Sequence, residues 1–101
     1  MNQSTILERS ETRSARRFNA LADPARLTIL ARLGAGTRCV CELRDELHMA
    51  PNLLSYHLRI LREAGFVVGT RKGRRIEYRV RPEVFEALRR DVERLSPEAA
   101  P

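Results

Sequence analysis

The feature that most constrains the fold is a change of hydrophobic period at Gly65. Residues 50–65 read A-P-N-L-L-S-Y-H-L-R-I-L-R-E-A-G, and at 100° per residue Leu54, Leu58 and Leu61 fall on one stripe of a helix. After Gly65 the period falls to two, which is the period of a β-strand. The sequence therefore predicts an amphipathic helix that is followed directly by a β-hairpin.

The predicted helix has an apolar side and a polar side. Leu53, His57 and Ile60 widen the apolar stripe on one flank, and His57 is expected to pack there rather than bind a metal. The opposite arc carries Asn52, Ser55, Tyr56, Arg59, Arg62 and Glu63. Such a face suits the reading of base edges in a major groove, and Asn52, Ser55, Tyr56 and Arg59 are the candidate DNA-binding residues. The alternative is an ordinary amphipathic surface helix.

The hairpin is predicted from residues 66–80. Residues 66–68 form its first strand and residues 71–74 its turn, after which Ile76, Tyr78 and Val80 alternate with charged residues. We expect the basic tip to contact phosphates or the minor groove beside the helix. The candidate tip residues are Arg71, Lys72, Arg74 and Arg75.

Further helices precede this unit. A helical pattern extends over residues 5–22 and is clearest at Ala15, Phe18, Leu21 and Ala22. Asp23 and Pro24 start a second helix, which ends at residues 34–36. Its predicted buried stripe is Leu27, Leu30 and Ala31, with Ile29 and Leu33 beside it. Residues 37–40 are extended, and a short helix over residues 42–48 turns Leu43 and Leu47 inward.

A last helix follows Pro82. Its apolar stripe contains Val84, Phe85, Leu88, Val92 and Leu95. The order α-α-α-α-β-β-α predicts a mainly α protein with a small β-hairpin, namely a winged helix-turn-helix. We expect it to be dimeric, because one chain of 101 residues offers only a modest core to cover the apolar faces of its first and last helices. We expect one winged-helix DNA-binding domain over residues 1–101, with residues 1–4 and 97–101 as flexible tails.

The charge is concentrated on the helix and hairpin. Residues 50–82 carry eight basic and two acidic side chains in a chain whose net charge is +6. This distribution favours double-stranded DNA as the partner. With neither a membrane-length apolar run nor a signal-peptide core, we expect a cytoplasmic protein without membrane contact. The sequence has no Ser/His/Asp set and no phosphate-binding glycine loop, so no enzyme is predicted.

Cys39 and Cys41 are the candidate metal ligands. Their spacing argues against an ordinary structural disulfide. Side chains at i and i+2 share a face only in an extended chain, so chelation requires an extended backbone there. Thiolates favour soft or borderline ions such as arsenite, Cd, Zn or Cu. A third ligand is needed from His48, the other subunit, water or a small thiol; the alternative is that the two cysteines bind no ligand.

Four motifs, over about residues 18–82, resemble the ArsR–SmtB family of winged-helix repressors. Residues 18–30, F-N-A-L-A-D-P-A-R-L-T-I-L, are similar to that family's ALADPTRLxIL. Residues 39–43, C-V-C-E-L, are similar to its metal-binding ELCVCDL box, and residues 54–65 are similar to VSHHLKVLREAG. Residues 73–80, G-R-R-I-E-Y-R-V, resemble its second wing strand. The resemblance implies a homodimer formed by the first and last helices, which binds an inverted-repeat operator and is released by an inducer.

The chain departs from the family pattern at four places. Ala50 and Pro51 replace the Ser-Gln that starts the family's reading helix, and Tyr56 replaces the first histidine of its His-His pair. Arg44 stands where the arsenic-sensing box has a third cysteine. The last helix lacks the Asp/His and His/Glu pairs of zinc or cobalt sensors, although it contains Glu83, Glu86, Asp91 and Glu93.

The predicted function is that of a sequence-specific DNA-binding transcriptional regulator. We expect a repressor that is released by a soft metal or metalloid bound at Cys39 and Cys41. Two alternatives remain at this stage: a winged-helix regulator without metal sensing, and a winged-helix module for protein interaction.

Overall fold

The computed structural model describes the backbone of residues 3–98 and the side chains of residues 11–98. The elements are α1 (Gln3–Leu21), α2 (Pro24–Gly34), β1 (Arg38–Cys39), α3 (Val40–Leu47), α4 (Pro51–Glu63), β2 (Val67–Lys72), β3 (Arg75–Val80) and α5 (Glu83–Leu95). This order confirms the predicted winged helix-turn-helix. In the described part of the chain, no helix is both long and apolar enough to span a membrane.

The chain ends differ in part from the prediction. Helix α1 begins at Gln3, so the predicted N-terminal tail is wrong at Gln3 and Ser4. Met1, Asn2 and residues 99–101 lie outside the described residues. Pro97 and Glu98 follow the end of α5 and belong to no helix or strand.

The three strands form one antiparallel sheet in the order β1-β3-β2. The predicted extended piece before α3 is β1, which lies at the edge of the sheet beside the two strands of the wing. Its Arg38 pairs with Tyr78 of β3. Lys72 pairs with Arg75, so the wing turn is limited to Gly73 and Arg74 and is shorter than predicted. Gly73 has a φ of 64°, which the first position of a two-residue hairpin turn requires and which glycine adopts without strain.

The core lies where α2, α3 and α4 meet the sheet. Leu43, Leu54, Leu58 and Leu61 are buried as predicted. Phe66, between α4 and β2, is also buried and packs edge-on against Phe85 of α5 at 5.6 Å between ring centroids. These contacts attach the wing and the last helix to the helix-turn-helix.

The buried side of α2 differs from the prediction. Ile29, Leu30 and Leu33 are buried, whereas Leu27 is 51% exposed and Ala31 is also exposed. Both stripes have helical spacing, so the sequence pattern alone does not choose between them. Arg26 decides the choice, because its hydrogen bonds to α1 and α4 turn its own side of α2 inward.

Two helix ends, the start of α2 and the end of α4, are capped as the sequence indicates. The carboxylate of Asp23 accepts hydrogen bonds from the backbone amides of Ala25 and Arg26 at the start of α2. After α4, Gly65 takes a φ of 85°, and the amide of Phe66 donates to the carbonyl of Leu61 at 2.9 Å. This Schellman-type ending turns the chain from α4 into β2.

Helices α1 and α5 are joined by a polar contact. The carboxylate of Asp91 accepts hydrogen bonds from the Ser14 hydroxyl at 2.8 Å and from the Arg17 guanidinium at 2.9 Å. Of the residues predicted to be apolar contacts of the first helix, Phe18 and Leu21 are half-buried, Ala15 is exposed, and Ala22 is exposed just beyond the end of α1. Among the residues of this stretch whose side chains are described, Ala20 is the fully buried apolar residue.

Helix α5 buries only part of its predicted stripe. Val84 is buried, and Phe85 and Leu88 are half-buried. Val92 is 49% exposed and Leu95 is 75% exposed, so the C-terminal half of the stripe stays uncovered in a single chain.

Candidate nucleic-acid interface

The two helices of the helix-turn-helix are joined by residues 48–50. His48 adopts the left-handed conformation with a φ of 51°, and the amide of Met49 donates to the carbonyl of Arg44 at 3.3 Å. Histidine is among the non-glycine residues enriched in this conformation. His48 therefore ends α3 and sets the turn that aims α4.

Helix α4 begins without a side-chain cap. Ala50 at the N-cap has no side-chain acceptor and Pro51 occupies the first turn, while Oδ1 of Asn52 accepts a hydrogen bond from the amide of Leu53 at 3.0 Å. Pro51 lacks one of the amides that a cap would otherwise satisfy. The amide of Asn52 in the same turn remains available to a phosphate of bound DNA.

The polar face of α4 is exposed as a unit. The structure places Asn52, Ser55, Tyr56 and Arg59 in solvent on the side away from the core. The guanidinium of Arg59 lies 5.9 Å from the centre of the Tyr56 ring, within the range of a cation–π contact. The two bulkiest candidate residues for base reading therefore support each other before any ligand binds.

Leu53 belongs to this face and not to the core. We expected it to widen the buried stripe, but it is 47% exposed. The reason is that Leu54, His57 and Leu61 already fill the contact with the scaffold, which leaves Leu53 beside Asn52 at the exposed N-terminal end. An apolar side chain at this place suits the methyl group of thymine.

The wing carries its four candidate residues in solvent, but the four differ in their surroundings. Arg71 donates to the carbonyl of Gly73 at 3.4 Å across the turn. Arg75 instead turns toward α3, where its Nη2 lies 3.5 Å from Oε1 of Glu42. Arg75 thus links the wing to the start of α3.

Cys39 caps α3. Its Sγ accepts a hydrogen bond from the amide of Glu42 at 3.3 Å, and Oε1 of Glu42 accepts one from the amide of Cys39 at 2.9 Å. This reciprocal pair is a capping box in which a cysteine takes the place that serine or threonine usually holds. Cys39 is buried and Cys41 is exposed.

The prediction that the cysteine spacing argues against a disulfide is wrong. The structure joins the sulfurs of Cys39 and Cys41 as a disulfide, with their Cα atoms 5.4 Å apart. The chain is extended only as far as Cys39, because the strand ends there and the helix begins at Val40. The change of backbone direction at this junction brings the two side chains together, and in the reduced state both sulfurs can reach a single ion.

The structure does not bring His48 to the cysteines. Cys39 and His48 are the two caps of the eight-residue helix α3, so they are separated by about 12 Å of helix axis. In the part of the chain whose side chains are described, no three His, Cys, Asp or Glu residues come together as a metal site. An intrachain third ligand from His48 is therefore ruled out by this geometry.

Basic residues surround the cysteines instead. A shallow cleft of about 320 Å³ is lined by both cysteines, Val40, Ile76 and three arginines, Arg44, Arg74 and Arg75. Arg44, which stands at the third-cysteine position of the family box, is thus beside the pair. The cleft connects the cysteines to the tip of the wing.

Two buried polar groups were missed from the sequence. Arg26 is 6% exposed, and its Nη1 lies 3.1 Å from Nδ1 of His57, whose predicted packing role is confirmed by an exposure of 5%. The signal for Arg26 was its helical spacing to Ile29, Leu30 and Leu33, which places a charge on an apolar stripe. Asp91 gave no comparable signal, because α5 is rich in charged residues.

Comparison with known proteins assigns the family. The description "Bacterial regulatory protein, arsR family" matches residues 23–68. The chain is 49% identical over 63 residues to the HTH-type transcriptional repressor SmtB of Mycobacterium tuberculosis, over 62% of this chain and 47% of that protein. It is 45% identical over 69 residues to an arsenic resistance transcriptional regulator of Pseudomonas putida, over 66% and 53% of the two chains.

The chain thus spans about half the length of these two relatives. A solved structure, the ArsR-like transcriptional regulator from Rhodococcus sp. RHA1, superposes with a TM-score of 0.77 at 29% identity, over 84% of this chain and 80% of that one. The family consists of transcriptional regulators and not of enzymes. On the matched motifs, the shared fold and these relatives, the chain belongs to the ArsR family of bacterial regulatory proteins.

Proposed function

We propose that this protein is a DNA-binding transcriptional repressor that reads its operator with the exposed face of α4. The observation that carries the proposal is the exposed set Asn52, Ser55, Tyr56 and Arg59 on the second helix of a helix-turn-helix. The proposal includes a cytoplasmic location, where such a regulator meets its DNA. The relatives named as repressors support the direction of regulation.

Base reading divides among these residues by their chemistry. Arg59 suits the O6 and N7 acceptors of guanine, and Asn52 suits adenine. Ser55 and Tyr56 supply hydroxyl groups for bases or phosphates, while Leu53 suits a thymine methyl group. Arg71, Lys72 and Arg74 of the wing contact phosphates or the minor groove beside this helix.

The proposal includes a homodimer on an inverted-repeat site. The exposed apolar residues Val92 and Leu95 lie on α5, which packs along α1 through Asp91. A two-fold pairing through this side covers both residues and presents two α4 helices. The operator then has two matching half-sites about one helical turn apart.

A competition experiment tests base reading. Fluorescence anisotropy measures affinity for DNA from the protein's own upstream region and for a scrambled duplex of equal length. We expect Tyr56→Ala and Arg59→Ala to weaken binding to the upstream DNA about tenfold or more, at one salt concentration, with little change on the scrambled DNA. Arg90→Ala, an exposed arginine of α5, is the matched control and keeps the preference.

Equal loss on both duplexes would mean that α4 positions the protein without reading sequence. If the parent protein shows no salt-sensitive binding to either DNA, the alternative of a protein-interaction module is favoured instead. A heparin column makes the same distinction with less effort, because a DNA-binding protein is retained and then elutes sharply as the salt concentration rises.

We further propose that the reduced pair Cys39 and Cys41 binds a soft metal or metalloid ion that weakens DNA binding. The two sulfurs lie close enough to bind one ion together, and thiolates prefer ions such as arsenite, Cd, Zn or Cu. The Pseudomonas relative named for arsenic resistance supports this class of ligand. The remaining ligands come from water, a small thiol or the partner subunit.

The path from the cysteines to DNA runs through Glu42. Its Oε1 accepts from the amide of Cys39 at 2.9 Å and lies 3.5 Å from the guanidinium of Arg75. An ion on the sulfurs removes Cys39 Sγ from the cap of α3 and disturbs the Glu42 contact with the wing. Coupling of about 1–3 kcal/mol would change operator affinity about 5–150-fold.

The test uses anisotropy in the presence of a reductant, so that both cysteines are thiols. Arsenite and Cd are each expected to weaken binding to the upstream DNA, and Cys39→Ser or Cys41→Ser is expected to abolish the response while leaving DNA binding intact. Arg44→Cys, which adds a third sulfur to the same cleft, should strengthen the arsenite response. If the double serine variant responds as the parent does, these cysteines do not sense the ion.

A further inference from the structure

We propose that Arg26 and His57 form a buried positioning pair that fixes the orientation of α4 for base reading. This inference rests on the proposed function, since it assigns a role in DNA recognition to two residues that touch no DNA. Neither residue lies on the exposed face of α4 or on the wing.

Arg26 makes three hydrogen bonds inside the fold. Its Nε donates to the carbonyl of Ala20 at 2.7 Å and its Nη2 to the carbonyl of Asn19 at 3.0 Å, both near the end of α1. Its Nη1 lies 3.1 Å from Nδ1 of His57 on α4. One rigid guanidinium of α2 therefore connects the end of α1 to the middle of α4.

The chemistry fixes the roles of the two partners. A guanidinium is always charged and only donates hydrogen bonds, so Nδ1 of His57 must be the acceptor and the ring proton must sit on Nε2. Asp23 supplies a negative charge near the guanidinium of Arg26. Burial alone would raise the pKa of Asp23, but amide hydrogen bonds from Ala25 and Arg26 and the charge of Arg26 hold that pKa below its ordinary value.

The planar shape of the guanidinium makes the connection geometrically strict. Its donors point in fixed directions, so a rotation of α4 about its axis or a shift along it breaks the bond to His57. His57 follows Tyr56 directly, and the two rings meet edge-on with centroids 5.3 Å apart. A change in the His57 position is thus passed to the residue that faces DNA.

Base recognition requires that α4 and its side chains are placed precisely. Functional groups must be held within about 0.5 Å of the productive position by residues whose own conformations are fixed. Hydrophobic contacts at Leu54, Leu58 and Leu61 hold α4 in the core without directional bonds, whereas the bond to Arg26 has a fixed direction. Because the same arginine holds α1, it also passes movement of α1 to α4.

Two substitutions at His57 separate positioning from packing. His57→Asn places an amide oxygen near the Nδ1 position and can still accept from Arg26, whereas His57→Leu fills the space but offers no acceptor. We expect His57→Leu to lower affinity for the upstream DNA about tenfold with little change on scrambled DNA, and His57→Asn to retain most of the preference. Arg32→Gln, at an exposed arginine on α2, the helix that carries Arg26, is the control.

Arg26→Lys provides a second variant if His57→Leu fails to fold, because it keeps the charge but lacks the fork of donors. We expect the same selective loss of preference for the upstream DNA. Nitrogen-15 NMR of the parent should show His57 protonated at Nε2 and unprotonated at Nδ1, a signature that packing alone does not require. A proton on Nδ1, or an unchanged preference in His57→Leu or Arg26→Lys, would overturn the inference.

The outcomes distinguish this inference from the proposed function. If the parent prefers its upstream DNA and Arg59→Ala loses that preference, the function stands, and the His57 and Arg26 variants decide the inference alone. If the parent shows no preference, both are rejected together.

Discussion

Asp91 lies in the contact between α1 and α5 with its side chain fully covered. It accepts hydrogen bonds from Ser14 and Arg17, and Arg94 forms an ion pair with it one turn along the same helix. The hydrogen bond from Arg17 is the main reason that the pKa of Asp91 falls to about 2, against the opposing effect of burial, and Ser14 adds to it. The carboxylate therefore stabilises the folded state while it is charged.

The stability of the protein should fall in acid because of this group. Above about pH 5, Asp91 is ionised in both the folded and the unfolded chain, and its stabilisation is complete. As the pH falls from there through about 2, the unfolded chain takes up a proton first, so the stabilisation is lost. Urea denaturation across this pH range should show two effects of Asp91→Asn. The free energy of unfolding should fall less steeply as the pH is lowered, and near neutral pH it should be lower than in the parent by about 2 kcal/mol.

Glu86→Gln is the matched control for this measurement. Glu86 lies on the same helix and pairs with Arg89 in solvent, where an ion pair contributes little. We expect its unfolding free energy to stay within about 0.5 kcal/mol of the parent. An Asp91→Asn variant that behaves like Glu86→Gln would show that the α1–α5 contact does not depend on the charge.

At the scale of single elements, α3 depends on its cysteine cap. Cys39→Ala removes the acceptor for the amide of Glu42, whereas Cys39→Ser supplies one of the preferred cap residues. We expect the alanine variant to be less stable than the serine variant by about 1 kcal/mol in reducing buffer, measured by thermal or urea unfolding. Equal stabilities would mean that the sulfur does not cap α3.

The wing should contribute to DNA affinity through charge. Replacing Arg71, Lys72 and Arg74 together by alanine is expected to flatten the dependence of log affinity on log salt by about three units, since each lost phosphate contact removes about one. Arg75 is paired with Glu42, so adding Arg75→Ala should change the slope by less than the other three do on average. An unchanged slope in the fourfold variant would place the wing away from DNA.

The elements differ in how far the sequence could predict them. Helix α4, its end at Gly65 and the start of α2 at Asp23 followed from local patterns, because caps and turns are decided by neighbouring residues. The buried side of α2 did not follow, because it depends on bonds from Arg26 to carbonyls of α1 and to His57, which are distant in the chain.

The exposure of Leu53 and the geometry of the cysteine site could not be predicted from the sequence for similar reasons. Hydrophobic type predicted burial for Leu53, but the surface that α4 packs against is filled by its neighbours. At the cysteines, the spacing rule holds for a uniform strand or a uniform helix, whereas the backbone changes from one to the other between Cys39 and Val40. Patterns assume regular elements, so junctions are where they fail.

For the whole molecule, the uncovered apolar end of α5 predicts self-association. Val92→Glu places a charge on this surface and should shift the protein from dimer to monomer at micromolar concentration in sedimentation velocity. Leu27→Glu is the matched control, because Leu27 is comparably exposed but lies on α2. A parent protein that sediments as a monomer and still binds one half-site would reject the dimer.

The measurement that tests the central claim most directly is a hydroxyl-radical footprint of the protein on its own upstream DNA. If α4 reads bases in a two-fold dimer, the footprint shows two protected half-sites of inverted sequence about 10 base pairs apart, and Arg59→Ala loses it at a concentration where Arg90→Ala keeps it. Uniform protection without sequence preference, or a footprint that Arg59→Ala leaves unchanged, would contradict the account.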